Sequence, residues 1–451
     1  MPIPLVAVLV PLAQITAGAV PPSPPATSPA TAAPAPTSAR VVSLEESTQS
    51  ALKRQPQLRQ ARAATSAAVA RGDQASSGRL PQIVGTAQYL RETGNFALRP
   101  GATLAGGAVP PWSSTTYNFY NFAVTATQLI YDFGQTPDRA HAARANADAF
   151  RESERTTEVA IVLAVRRAFF TARAQRDLVK VASENLANQA NHLVQIQGFV
   201  AVGTRPEIDL AQSKTDVANA RVQVILAQNA YDVAKAQLAQ ATGAEAGLDF
   251  DVADDDLPPV PDEDAPTEAL LARAFAARPE LATIERQRRA GELTVRSAKG
   301  AYGPTLAATG FAQETGIALD GLVPNWGVGA TLTWPILQGG LTRGVVDEAQ
   351  ANLEGLDAQS EVVRLQVRFD LENARLSLRA AKATIVGSDE ALANAKERLR
   401  LAEGRYQAGV GSAIELGDAQ IALANAAAQV VQAHYNLATA RAQLLAALGR
   451  R

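Results

Sequence analysis

Large and small residues alternate with a seven-residue period along two long stretches of the chain. In the second stretch, large residues recur at every seventh position from Leu371 to Tyr406, with small residues three positions after each, from Ala374 to Gly409. The first stretch repeats this pattern from Val165 to Val200. A seam of this kind lets neighbouring helices approach closely, as in a coiled coil. The pattern predicts long helices over residues 134–200 and 340–407, each roughly 100 Å long.

A shorter heptad segment follows each long one after a glycine-containing turn. These segments predict return helices over residues 206–243 and 412–449, with the turns at Gly203 and at Gly409–Gly411. One further helix is predicted before each long helix, over residues 44–80 and 267–303. A short helix and a return helix stacked end to end would match the length of one long helix.

Alternation with period two occurs between each short helix and the long helix that follows. Over residues 326–334, apolar residues alternate with Gly and Thr, so that one face is apolar and has Trp326 and Trp334 at its ends. This alternation with terminal aromatic residues is typical of outer-membrane strands. It predicts β-hairpins at about residues 81–131 and 305–336. A soluble hairpin that caps a coiled coil is the alternative for a single hairpin.

The whole arrangement occurs twice. Residues 208–210 (Ile-Asp-Leu) superpose on residues 414–416 (Ile-Glu-Leu) at an offset of 414 − 208 = 206. Upstream, Gln-Pro-Gln-Leu at 55–58 superposes on Arg-Pro-Glu-Leu at 278–281, at an offset of 279 − 56 = 223. The difference of 223 − 206 = 17 residues places extra chain in the first hairpin. The chain is therefore predicted to comprise repeat 1 (residues 41–243), an acidic linker (244–266) and repeat 2 (267–451).

The first 40 residues differ in composition from the rest of the chain. Residues 1–20 are apolar and contain Ala17-Gly18-Ala19, which predicts an export signal peptide. The first basic residue is Arg40, so an unstructured apolar tail is the alternative. Residues 21–40 are rich in Pro and Ala, as in an extended linker. No later apolar run reaches the length of about 18 residues expected of a transmembrane helix, so membrane insertion would require β-strands.

Charge and composition exclude several functional classes. The 42 Lys and Arg residues nearly balance the 44 Asp and Glu residues, which disfavours nucleic acid as a partner. The chain has no Cys, which excludes disulfides, thiolate metal sites and a lipid anchor on Cys. Metalloprotease, P-loop and serine-elbow motifs are absent, and His141, His192 and His434 stand far apart in the sequence. We expect no enzyme, no cofactor and no metal site.

The chain resembles the TolC-type outer-membrane efflux proteins, in their non-lipidated form, over residues 41–451. The resemblance is carried by the duplicated architecture, by the Pro-Gln/Glu-Leu motif of the first helix in each repeat, and by the strand-to-helix junctions at residues 131–134 (Tyr-Asp-Phe-Gly) and 337–340 (Leu-Gln-Gly-Gly). It implies a mainly α fold with membrane β-strands. The duplicated helical-hairpin unit would form a trimeric twelve-strand outer-membrane β-barrel, continued by a twelve-helix periplasmic α-barrel.

The resemblance also implies a function and partners. The protein would be the outer-membrane exit duct of a tripartite efflux or type I secretion system, passively conducting small molecules or proteins. Its partners would be two further copies of the chain, a periplasmic adaptor (membrane fusion) protein, an inner-membrane transporter of the RND or ABC type, and outer-membrane lipid. The acidic linker would contribute to a belt around the tunnel, unless it is only a solvated connection. The alternative function is a soluble periplasmic coiled-coil scaffold or adaptor.

The resemblance assigns roles to residues at both helical turns. A periplasmic gate would comprise Tyr406, Glu415 and Asp418, with Asp209 at the matching position of repeat 1. The three-residue spacing places Glu415 and Asp418 on one helix face, where three copies would form acidic rings that favour cations. Solvated surface charges are the alternative. The predicted adaptor-contacting tips are Val202, Gly203, Thr204, Arg205, Gly409, Val410, Gly411 and Ser412.

One position at the second turn departs from the family pattern. Gly411 stands where family members often have an Arg that helps to close the gate, and Arg205 occupies the matching position of repeat 1. The sequence therefore leaves open whether the resting gate is closed.

Overall fold

The computed structural model describes residues 40–93, 116–244 and 249–451, in which one order of elements occurs twice. Repeat 1 contains β1 (Arg40–Val42), α1 (Leu44–Arg54), α2 (Pro56–Ser77), β2 (Gln82–Thr93), β3 (Thr116–Tyr131), α3 (Gln135–Ala201) and α4 (Glu207–Thr242). Then follow β4 (Phe250–Val252), α5 (Thr267–Ala277), α6 (Pro279–Gly300), β5 (Thr305–Gly316), β6 (Val323–Thr333), α7 (Leu341–Gln407) and α8 (Ala413–Ala447). The predicted signal peptide, nearly all of the Pro-rich linker and the first hairpin loop, residues 94–114, lie outside the described residues.

The two long helices, α3 and α7, have 67 residues each, which corresponds to about 100 Å. Each begins after a glycine in the left-handed conformation, Gly134 (φ 89°) or Gly340 (φ 88°). The large and small seam residues of α7 are buried together in its middle, as at Leu371, Ala374 and Leu378. Among the described residues, no helix combines enough length and apolar character to cross a membrane.

The prediction of one continuous helix before each hairpin is wrong in both repeats. The segment breaks into α1 and α2 at Gln55, and into α5 and α6 at Arg278. Both residues are extended, with ψ of 120° and 121°, because each precedes a proline that disfavours the helical conformation of its neighbour. The prolines then begin the second helices, at the position where a missing N–H is tolerated.

The broken helices explain the Gln/Arg-Pro motif that marks the repeat. Gln55 Nε2 donates to the carbonyl of Ala241 at 3.0 Å, near the end of α4. Arg278 Nε donates to the carbonyl of Ala447 at 2.9 Å, the last residue of α8. Each residue therefore satisfies a carbonyl left unpaired at the end of the return helix of its own repeat.

We call the level at which Gln55 and Arg278 contact the ends of α4 and α8 the waist of the molecule. The helices follow the same lateral order above and below it. Above it, α2 packs against α3, α3 against α6, and α6 against α7. Below it, α4 packs against α3, α3 against α8, and α8 against α7. The short helices of each repeat thus flank the long helices in equivalent positions, with α7 at one edge and α2 and α4 at the other.

The larger sheet has the corresponding order β2-β3-β5-β6, and all its pairs are antiparallel. Opposite residues on β5 and β6 include Ala312 with Trp326 and Ala308 with Ala330. The apolar positions of β6 therefore share one face of the sheet, while Thr331 and Thr333 lie on the other. The strand ends at Thr333 and not at residue 336 as predicted, so Trp334 directly follows it.

The described part of the acidic linker is bound to the helices. Its Asp254 pairs with Arg176 of α3, and its Glu263 accepts from Lys382 of α7 at 2.7 Å. Glu263 is buried and also lies 3.4 Å from Arg441 Nε of α8. Strand β4 in this segment pairs in parallel with β1. The segment therefore packs against the helices at the waist, and it is not only a solvated connection.

Candidate functional site

The two hairpin turns at the lower end of the molecule have equivalent geometry. Gly203 (φ 77°) follows α3 and Gly409 (φ 76°) follows α7. In the first turn Thr204 N donates to the carbonyl of Phe199 at 3.0 Å, and in the second Val410 N donates to the carbonyl of Arg405 at 3.1 Å. A left-handed residue at this position closes a helix with little strain only when it is glycine.

Tyr406 is the centre of the apolar cluster that joins the two turns. Its side chain is 2% exposed and packs with Ile196 of α3 and Leu416 of α8. The rings of His192 and Phe199, both from α3, lie 5.3 and 6.3 Å from its ring. The cluster therefore holds the hairpin of repeat 2 against the long helix of repeat 1.

Arg205 joins the first turn to the second. Its guanidinium carbon lies 4.3 Å from the centre of the Tyr406 ring, a distance at which a cation is attracted to the ring face. Its Nη2 also donates to the carbonyls of Tyr406 at 3.1 Å and Gly411 at 3.4 Å. The second turn has Gly411 where family members often have an Arg, and Arg205 of repeat 1 contacts this turn instead.

Gly411 is buried against the end of α7. A Cβ at this position would lie 2.9 Å from Tyr406 N and 3.0 Å from the carbonyl carbon of Arg405, and a real Cβ does not approach backbone that closely. In this conformation the turn has no room for a Cβ, so any larger residue here, including the arginine that the family pattern predicts, would require the backbone of the turn to shift.

The three acidic residues predicted for the gate have different surroundings. Asp209 is half-buried, and its charge adds to the rise in the pKa of Tyr406 that burial causes, while Arg205 opposes that rise. Glu415 Oε1 lies 3.1 Å from Arg405 Nε across the second turn. Asp418 is exposed and lines a groove between α4 and α8. The structure therefore places Asp209 near Tyr406, and it pairs Glu415 with Arg405.

The tips expose apolar side chains. Val202 and Val410 are 73% and 69% exposed, and Ile208 and Ile414, at the starts of the return helices, are 73% and 74% exposed. The two isoleucines occupy matching positions of the two repeats, but the predicted tips do not include them. Their apolar character at a predicted turn was the signal that could have identified them.

The opposite end of the molecule carries the two tryptophans predicted for the membrane boundary. Trp326 is 76% exposed and Trp334 is 60% exposed. Trp334 Nε1 donates to the carbonyl of Tyr302 at 3.2 Å, which fixes its ring at the junction between α6 and β5. The separation of 334 − 326 = 8 positions between them corresponds to about 26 Å of extended chain, close to the height of the apolar band of an outer-membrane barrel.

A family model described as outer membrane efflux protein matches residues 48–244 and 270–450 of this chain. The chain belongs to this family. The match covers both repeats and excludes the segment between them. Among curated relatives, the toluene efflux pump outer membrane protein TtgF of Pseudomonas putida is 26% identical over 338 residues, 73% of this chain and 69% of the relative.

Solved structures of outer-membrane channels have the same fold. The Campylobacter jejuni CmeC channel superposes with a TM-score of 0.78 at 18% identity, over 90% of this chain and 85% of that chain. The Vibrio cholerae protein VceC superposes with a TM-score of 0.77 at 18% identity, over 90% and 96% of the two chains.

Family membership confirms the predicted class, fold and location. This outer membrane efflux protein is an exit duct in the outer membrane, with its helices extending into the periplasm, and it has the fold of the TolC-type channels. The soluble scaffold or adaptor considered as the alternative is not favoured. Members of the family are efflux channels and not enzymes. In the described residues, no group of three or more His, Asp or Glu is placed to hold a metal ion.

Proposed function

We propose that three copies of this chain form one passive channel, which receives its cargo from a periplasmic adaptor and an inner-membrane transporter of the RND or ABC type. The cargo would be small molecules or proteins. The observation that carries this proposal is the common lateral order of strands and helices, which leaves two free edges in the sheet and in each helical layer.

The free edges support head-to-tail assembly. In the described residues, β2 and β6 each pair on one side only, and α4 and α7 each pack against one neighbour of the lower layer. Both edge helices expose apolar side chains, such as Ile225 (62%) on α4 and Val386 (60%) on α7. Since the two edges differ, contacts between copies would be heterologous and would close into a ring. Four strands per copy are too few for a membrane barrel, whose smallest bacterial form has about eight strands.

The turns would form the gate of this channel. Asp209, Tyr406, Glu415 and Asp418 are its proposed residues, and Arg205 would hold the two turns of each copy together. The apolar tips fit contact with the adaptor, because exposed apolar groups at a rim mark interaction surfaces. Movement of the first turn away from Tyr406 would break the Arg205 contacts without unfolding either hairpin.

Assembly can be tested with the chain purified in detergent. We expect chemical crosslinking to yield three copies per particle and the particle to conduct ions across a planar bilayer. A chain lacking its first 40 residues that stays monomeric and soluble without detergent would contradict the channel.

The gate is tested by replacing both acidic residues of α8. Glu415→Ala combined with Asp418→Ala should raise single-channel conductance or reduce cation selectivity, because a ring of carboxylates attracts cations. The matched control is Asp389→Ala with Glu390→Ala, which removes two exposed acidic residues from α7. Unchanged current and selectivity in the first variant would reduce Glu415 and Asp418 to surface charges.

A further inference from the structure

The start of α3 and the end of α6 meet where one large residue faces two glycines. A Cβ at Gly303 would lie 2.5 Å from Cγ of Phe133, and a Cβ at Gly300 would lie 2.8 Å from the Phe133 carbonyl oxygen. On the last turn of α6, Ser297 Oγ donates to the carbonyl of Gln135 at 2.8 Å. The two repeats therefore fit together at this junction because positions 300 and 303 have no side chain.

The alignment of the repeats gives the counterparts of this contact at the free edges. Phe133 corresponds to position 133 + 206 = 339, which is Gly339, just before α7. Gly303 corresponds to position 303 − 223 = 80, which is Leu80, and both residues directly precede the proline before a strand. The large residue and the small residue have therefore exchanged places between the two junctions.

The backbone supports this alignment. Phe133 and Gly339 are both left-handed, with φ of 54° and 57°, and the glycines that follow, Gly134 and Gly340, have φ of 89° and 88°. The two junctions thus share one local conformation, which carries a phenyl ring in repeat 1 and no side chain in repeat 2. A non-glycine residue is uncommon in this conformation, and Phe133 shows that this backbone accepts one.

Leu80 and Gly339 have no counterpart within the chain, because α2 and α7 lie at opposite edges of the upper helical layer. Leu80 is 61% exposed, although its backbone is held by hydrogen bonds from its N to the carbonyl of Ser77 at 2.9 Å and to its carbonyl from Gln82 Nε2 at 3.2 Å. A Cβ at Gly339 would have no heavy atom of the described residues within 4 Å. One edge thus presents a fixed apolar side chain, and the other presents an open space.

We infer that Leu80 of one copy fills the space beside Gly339 of the next copy, and that the exchange of large and small residues determines which edges can join. The inference rests on the proposed three-copy channel, for which it names residues that select the pairing. It follows because the contact between α7 and the next copy's α2 corresponds, in the repeat alignment, to the contact between α3 and α6 within the chain.

The exchange also disfavours contacts between repeats of the same kind. If repeat 1 met repeat 1 of another copy at this junction, Leu80 would face Phe133, and two large side chains would compete for one space. If repeat 2 met repeat 2, Gly303 would face Gly339 and leave a void. Overpacking and voids both destabilise a contact, so repeats 1 and 2 would have to alternate around the ring.

The first test is Gly339→Phe in the full chain purified in detergent. The backbone can carry this ring, because Phe133 has nearly the same φ, but Leu80 of the next copy loses its space. We expect chemical crosslinking to yield about tenfold fewer trimers than in the original chain. Circular dichroism should show an unchanged helix content, because the two repeats of one chain still contact each other.

Leu80→Gly is the compensating change. Combined with Gly339→Phe, it recreates between copies the contact that Phe133 and Gly303 make within the chain, so the trimer yield should return to within about twofold of the original. The matched control combines Gly339→Phe with Leu319→Gly. Leu319 is 62% exposed in the loop between β5 and β6, and its replacement should not restore the trimers.

A disulfide measures the contact without overpacking it. The chain has no Cys, so oxidation of the Leu80→Cys, Gly339→Cys double variant should link copies covalently. This bond requires the two Cβ atoms to come within about 4.5 Å of each other. Each single variant should give no such link.

A normal trimer yield in Gly339→Phe would overturn the inference, as would failure of Leu80→Gly to restore trimers, equal rescue by Leu319→Gly, or absence of the disulfide. In each of these outcomes the original chain still forms trimers, so the proposed channel stands. Absence of trimers in the original chain would contradict the proposed channel and the inference with it. The two failures are therefore distinguishable.

Discussion

The guanidinium of Arg205 lies over the ring of Tyr406 at 4.3 Å, although the two residues belong to different repeats. The same side chain donates hydrogen bonds to two carbonyls of the second turn. One residue therefore couples the two helical hairpins of a single chain at the proposed gate.

Arg205→Ala should favour the open tip. It removes the cation–π contact and two hydrogen bonds, together about 2 kcal/mol, which corresponds to roughly a thirtyfold change in the ratio of open to closed tips. Single-channel recording should show longer or more frequent open states. The control is Arg221→Ala on the exposed face of α4, which should behave like the original chain. Identical open probability in both variants would show that Arg205 does not hold the tip.

Tyr406 should contribute through its ring and not through its hydroxyl. Its Oη is buried without a hydrogen-bond partner among the described residues, so Tyr406→Phe should leave the free energy of unfolding unchanged or slightly raised. Tyr406→Ala should lower it by about 3–5 kcal/mol, because it leaves a cavity in the tip cluster. Thermal unfolding followed by circular dichroism measures both. A clear loss in Tyr406→Phe would indicate a partner for the hydroxyl in the assembled channel.

Acid should open the tip through His192. Burial lowers the pKa of this side chain below its ordinary value, while a hydrogen bond to Gln195 and the charges of Asp216, Glu403 and Asp209 oppose the effect. A histidine with a lowered pKa in the closed tip stabilises that state only while it is neutral. If opening exposes His192, stability of the closed tip is fully present above about pH 6.5, the ordinary histidine pKa, and is lost as the pH falls from there through the lowered pKa of the closed tip.

Conductance should therefore rise as the pH is lowered below about 6.5, the ordinary histidine pKa. His192→Gln should remove this rise. The matched controls are His141→Gln and His434→Gln, which replace the two remaining histidines, both exposed, and should retain it. A rise that persists in His192→Gln would assign the effect to the carboxylates of the tip.

Replacing Arg278 at the waist should lower the free energy of unfolding far more than replacing a neighbouring surface arginine. Arg278 is buried, donates to Asp370 at 2.8 Å from Nη1, and holds the end of α8. Arg278→Met should lower the free energy of unfolding by about 3 kcal/mol, because Asp370 loses its charged partner and keeps only the hydrogen bond from Gln366. Arg273→Met breaks an exposed pair with Asp262 and should lower it by less than about 1 kcal/mol. Similar losses in chemical unfolding would contradict the structural role of Arg278.

Periodicity in the sequence was sufficient to predict the class of the helices and of the strands in the larger sheet, but it did not predict β1 or β4. A seven-residue repeat of large and small residues indicates helices, and strict alternation ending in Trp326 indicates strands, because both patterns record which face of an element is buried. The breaks at Gln55 and Arg278 were also encoded locally, by the prolines that follow. They were missed because heptad spacing was extended through them.

The tertiary structure alone decided how the two repeats meet. Arg205 and Tyr406 are 406 − 205 = 201 positions apart, and no local pattern pairs them. Within repeat 2, the spacing predicted the helix face that Glu415 shares with Asp418, and only the packing of α8 on α7 shows that Glu415 pairs with Arg405. Sequence spacing determines the face of a helix on which a residue stands. What that face contacts depends on how separate helices pack, which is decided by side chains distant in the chain.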